Sequence, residues 1–97
     1  VGKNIAVEIE SRVPKQIRGA LLDLILHPFP KKLLVLMPVH MSNPETTLRQ
    51  SQHILGRFLE PINYQVVLLD GSGDNPRFEV DIYKVKQALI RLGFQTG

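Results

Sequence analysis

Lys31-Lys32-Leu33-Leu34-Val35-Leu36-Met37-Pro38 is the stretch that decides the fold. Leu33 to Met37 is an uninterrupted apolar run, too short for a typical helix and closed by a proline. An apolar strand without alternation is buried on both faces, which is the condition of a strand inside a parallel sheet covered by helices. Parallel neighbours need long crossovers, so helices are expected immediately before and after this run.

Upstream, Pro14 opens a helix that runs to about His27, because proline is well placed in a first turn whose N–H groups lack partners. Ile17, Ala20, Leu21 and Leu24 recur at the spacing of one buried stripe. Leu22, Ile25 and Leu26 widen the apolar surface, so this helix is expected to be covered by the sheet and by something else. Lys15, Gln16, Gly19 and Asp23 form its narrow polar strip, and Pro28-Phe29-Pro30 stops it. Before the helix stands Ile5 to Ser11, IAVEIES, whose alternation marks a strand.

Downstream, Ser42 with Glu45 fits a capping box, and Asn43 with Pro44 fits an N-cap followed by a first-turn proline. Leu48, Leu55, Phe58 and Leu59 form the expected buried stripe of this second helix, with His53 opposite and Pro61 at its end. Tyr64 to Leu69 reads as a third strand, followed by the turn formers Asp70 to Pro76. Phe78, Val80 and Ile82 alternate briefly; a last helix is expected from about Ile82 to Leu92, with Asp81 as N-cap and Gly93 just past its end. The alternation of strands and helices predicts a three-layer α/β/α domain with a mostly parallel central sheet.

The chain has 97 residues, 43% of them hydrophobic, which suits one domain and leaves no room for a second. Twelve Lys and Arg against nine Asp and Glu give a net charge of +3, a bias that permits a polyanionic partner. The absence of cysteine excludes disulfides and thiolate metal sites. No apolar run approaches the ~20 residues that span a bilayer, and no signal segment is visible, so a cytoplasmic protein without membrane contact is expected. The chain starts at Val1, with the first strand almost at once, as expected of part of a longer chain.

In Ile5 to Ser11, Ile5, Val7 and Ile9 share one face, and Ala6, Glu8 and Glu10 share the other. The Cα atoms of the two glutamates are separated by roughly 6.6 Å, so both carboxylates can converge on one divalent cation with hard oxygen ligands. The plainer reading is that this face is solvated.

Glu8-Ile9-Glu10, followed by a helix and a buried strand, resembles the central segment of the restriction-endonuclease-like superfamily, the PD-(D/E)XK nucleases, over roughly the first forty residues. Glutamate stands at Glu10 where that family usually has lysine, a departure some restriction endonucleases share. The family's other acidic residue lies on an earlier strand, which here would precede Val1. The resemblance implies a restriction-endonuclease-like core, in part, and metal-dependent DNA cleavage. Glu8, Glu10 and the carbonyl of Ile9 would hold Mg²⁺ or Mn²⁺, with Glu10 alternatively the base and Gln16 orienting a carboxylate or a water. Arg12, Lys15, Arg18, Lys31 and Lys32 would contact phosphates of the DNA.

Two rival readings remain. In a parallel sheet the strand ends bring Ser11 and Arg12, Val39 and His40, and Asp70 to Ser72 to one edge, where a small molecule would bind and the Gly-rich loop would offer N–H groups to phosphate. That loop lacks the spacing and the lysine of a P-loop. Alternatively, the chain is a catalytically silent module that binds a protein partner, a second copy or nucleic acid, with the broad apolar surface around Leu22 and Leu26 as its assembly face. The three histidines, His27, His40 and His53, stand at equal intervals of thirteen but at a helix end, a strand end and a solvent face, so the spacing reads as coincidence.

Overall fold

The computed structural model describes residues 5–11, 14–38, 41–71 and 77–93, with the backbone alone at 14–16. The order is β1 (Ile5–Glu10), α1 (Pro14–Leu26), β2 (Lys31–Leu36), α2 (Pro44–Phe58), a single 3-10 turn (Pro61–Asn63), β3 (Tyr64–Leu68) and α3 (Phe78–Arg91). The strands form one three-stranded sheet in the order β1-β2-β3, and both pairings are parallel. The strand expected over Leu33 to Met37 is therefore central, runs instead from Lys31 to Leu36, and has Leu33, Leu34, Val35 and Leu36 all buried.

Both crossovers advance in the same direction, so the right-handed rule puts α1 and α2 on one face of the sheet. Ile17, Ala20, Leu21 and Leu24 of α1 and Leu55 of α2 pack there with Ala6, Leu34 and Leu36. α3 turns back over the opposite face, where Ala88 and the following Leu92 meet Leu33, Val35 and Val67. The three layers share β2, so truncation of Leu34 to Ala would cost about 3 kcal/mol, a large part of the stability of a small domain.

Local sequence sets the helix ends. Asn43 is the N-cap of α2, its side chain accepting from the Thr46 N–H at 3.3 Å, which decides between the two cap readings. The second helix packs through Leu55, Thr47 and Ser51, and Phe58, assigned above to the buried stripe, is 65% exposed. α3 begins at Phe78, four residues before the expected start, so the alternation of Phe78, Val80 and Ile82 is not a strand. Arg77 is its N-cap, and Asp81 lies in the first turn. Gly93, past the C-terminal end, has φ of 95°, the left-handed conformation that glycine adopts without a Cβ penalty.

Candidate functional site

The two glutamates share a face, as alternation requires, and it is the face covered by α1 and α2. Ala6, two residues before Glu8 on that face, packs against the α1 core. Glu10, at the C-terminal end of β1, is 5% exposed, whereas Glu8 is half-buried. The plainer reading of a solvated carboxylate face therefore fails for Glu10. The opposite face is the open one: α3 packs on β3 and β2, and Ile9 is 63% exposed.

The backbone adds a third oxygen. Glu10 uses its carbonyl to accept from the Met37 N–H of the segment after β2, at 2.9 Å. Successive carbonyls of a strand point to opposite sides, so the carbonyl of Ile9 points away from β2, onto the edge of β1 that no other described strand covers. The C-terminal end of this edge strand thus carries two carboxylates on one face with a peptide oxygen between them. Among the described residues no group of three or more His, Asp or Glu side chains comes together to hold a metal ion. The donor set still suits a hard cation such as Mg²⁺, which keeps several waters and takes one or two carboxylates.

Glu8 also lines a hollow of about 290 Å³ along the outer edge of β1, with Asp23 and His27 of the helical layer. The two stand one helical turn apart, a spacing visible in the sequence but not read there as part of a site. The Phe29 N–H donates to Nδ1 of His27 at 3.1 Å, and the two rings meet edge to face with centroids 4.7 Å apart. His27 is thereby held by the turn that ends α1.

The cations expected to contact phosphate do not gather. Arg12 lies outside the described residues; the backbones of Lys15 and Gln16 stand in the first turn of α1, close in sequence to Glu10. Arg18 is exposed and lines a groove of about 440 Å³ between α1 and α2. Lys31 and Lys32 stand at the opposite edge of the sheet, paired with Ile5 and Ala6 at the start of β1. Lys32 is 2% exposed, and its Nζ donates to the carbonyl of His27 at the C-terminal end of α1. Burial holds its ammonium below the usual lysine range. Lys32 therefore belongs to the framework, where it serves an orphan helix carbonyl and sits at the negative end of the helix dipole.

The end of β3, the other part of the expected small-molecule edge, is occupied by its own side chains. Asp81 accepts from the N–H groups of Asp70, at 2.6 Å, and Gly71, at 3.2 Å. Lys84 donates to the carbonyl of Leu68 at 2.9 Å and pairs with Asp70 at 2.6 Å. The hydrogen bond from Lys84, and secondarily its charge, hold the Asp70 carboxyl below the usual aspartate range. Two N–H groups that the loop would have offered to a phosphate are already taken. Val39, His40 and Ser72 lie outside the described residues.

Among the described residues no helix is long and apolar enough to cross a membrane. No known family, curated protein or solved structure matches the chain.

Proposed function

We propose that this domain is a metal-dependent endonuclease of DNA, or part of one, with a core of the restriction-endonuclease-like type and its reacting centre at the C-terminal end of β1. The observation that carries the reading is the placement of Glu8 and Glu10 on one face of an edge strand, with the Ile9 carbonyl on its open side. Glu8, Glu10 and that carbonyl would hold Mg²⁺ or Mn²⁺, and a bound cation would acidify a water and offset the charge that builds on the phosphate. Glu8, half-buried at the hollow, is the carboxylate better exposed to substrate. Glu10, at the strand end just before α1, fixes the inner side of the site. Gln16, in the first turn of α1, orients a water or a carboxylate.

The test compares the parent with Glu8→Ala and Glu10→Ala by calorimetric titration with Mg²⁺ and Mn²⁺ and by cleavage of plasmid DNA. Loss of metal affinity and cleavage in folded variants is expected; variants that keep both remove the nuclease reading.

A second reading, a catalytically silent assembly module, is favoured by one observation. Leu22 and Leu26, on the outer side of α1, are 55% and 72% exposed. Paired replacement by Glu should leave the circular dichroism intact and lower the mass measured by light scattering if this surface joins copies of the chain. An unchanged mass would count against self-association.

A further inference from the structure

We infer that the groove between α1 and α2 binds a single strand of nucleic acid, its phosphates held by Arg18 and Arg49. Arg18 comes from α1, and Arg49, Gln50 and His53 come from α2. Every charged or titratable side chain on this lining is a cation or becomes one on protonation, and no carboxylate lies among them. Arg18 forms no ion pair or hydrogen bond with the described residues, and Arg49 has only a 3.5 Å contact with Thr46 Oγ1 on its own helix. Two exposed guanidinium groups without an acidic partner among the described residues line one hollow, so an anion there can be met from both helices. Their planar donor forks match phosphate oxygens.

The floor narrows the choice of anion. Thr47 and Ser51 are small and buried, which lets the helices approach, while Leu21 and Ile54 supply apolar wall. A hollow of about 440 Å³ is a concave space that a splayed nucleotide of one strand can enter, whereas the convex outside of a duplex cannot. Its position fits as well. α1 and α2 each follow a strand, so both start at the C-terminal edge of the sheet, and Arg18 and Arg49 stand in their early turns. The start of α1 adjoins the edge where β1 ends at Glu10. Neither Arg49 nor His53 was among the cations expected to meet phosphate, because each contributes only once its helix is packed beside α1.

The inference rests on the nuclease reading for its substrate, and the experiment separates the two by working in EDTA, where metal binding plays no part. Fluorescence anisotropy is measured with a labelled oligothymidylate of about 12 nucleotides, within the site sizes of single-strand binders. The parent is expected to bind, and the double variant Arg18→Ala/Arg49→Ala to lose affinity by about tenfold or more at low salt. The slope of log affinity against log salt should fall by roughly 1.4, two phosphates at ~0.7 each. Arg57→Ala and Arg91→Ala, which remove exposed charge outside the groove, serve as controls and should bind like the parent. Failure of the parent to bind overturns the inference, as does equal weakening by the control variants. Displacement of the oligonucleotide by a Glu-rich peptide at lower concentration than by unlabelled strand would assign the groove to an acidic protein segment instead. Tighter arginine-dependent binding of a duplex would overturn the single-strand assignment. Retained strand binding beside unchanged metal affinity in Glu8→Ala and Glu10→Ala would leave the groove standing and the catalytic reading without support.

Discussion

β3 finishes against its own helix, whereas β1 finishes in two carboxylates and an open edge. At the end of β3 the carbonyl of Leu68 is taken by Lys84, and the N–H groups of Asp70 and Gly71 are taken by Asp81. The charges there are also matched, Asp70 against Lys84. At the end of β1 the Ile9 carbonyl points outward between Glu8 and Glu10, oxygen donors that suit a cation. The two outer strands of one sheet thus show what a structural polar cluster and a candidate reaction centre look like in the same fold. In the first, donors and acceptors answer each other within the chain. In the second, two carboxylates and a backbone carbonyl follow one another along a single strand.

The largest effect that would sharpen this contrast is catalytic. Glu8→Ala should lower the cleavage rate by at least ~100-fold, the loss typical of removing one strong electrostatic stabiliser from a reaction centre. Asp81→Ala should leave metal affinity unchanged. The contrast breaks if titration calorimetry shows Asp81→Ala and Glu8→Ala losing metal equally.

Next in size is a stability effect with the opposite assignment. Asp81→Ala removes two charge-assisted hydrogen bonds to the backbone, partly exposed, and should cost about 1–2 kcal/mol. In a domain of this length that lowers Tm by on the order of 5–10 °C, readable by thermal denaturation followed by circular dichroism. No change in Tm would mean that the clamp at β3 is ornamental.

Lys32 offers a further comparison, since it and Glu10 are both buried charges on the α1 side of the sheet, at opposite ends. Lys32→Met keeps the stem in the core, removes a desolvated ammonium and leaves an exposed carbonyl at His27 for water. The substitution should raise Tm by a few degrees, on the order of 1 kcal/mol, because desolvating an ammonium that has no carboxylate partner among the described residues costs more than its one hydrogen bond and the helix dipole return. The sign of its pH dependence follows. The folded-state pKa lies below the unfolded one, so the unfolded chain binds more protons between the two values, and stability rises with pH through that alkaline window. Lys32→Met should flatten that rise in urea titrations; a lower Tm would show the ammonium to be a net support.

The central strand, the parallel order and the helix boundaries set by Pro14, Asn43 and Gly93 were legible because each rests on local chemistry or on an unbroken apolar run. The pairing of Glu8 with Glu10 on one face was legible for the same reason, as alternation is a property of the strand alone. Which face would be covered was not, since that depends on two crossovers placing α1 and α2 together. Lys32 looked like a solvent-side introduction to β2, but pairing begins at Lys31, and register then aims Lys32 under α1 beside Ala6. Phe58 is exposed, and Thr47 and Ser51 are buried in its place, because α2 packs through small side chains. Asp81 looked like a cap for its own helix; its partners are two backbone N–H groups of the segment after β3, which no local pattern announces.

The smallest expected effect tests the β3 end by acid. The folded-state pKa of Asp70 is held below its unfolded value, so the ionised carboxylate contributes stability that is fully present above the unfolded value, near 3.8. That contribution is lost as pH falls through the folded-state pKa, where the unfolded chain no longer gains protons relative to the native one. The pair is partly exposed and screened by salt, so the loss should be slight. Lys84→Met removes the cause of the depression and should move the Asp70 carboxyl, followed by ¹³C NMR, up toward the ordinary aspartate range. If its titration stays where it was, the carboxyl is held by groups other than Lys84, and the reading of β3 as a strand sealed by that side chain fails.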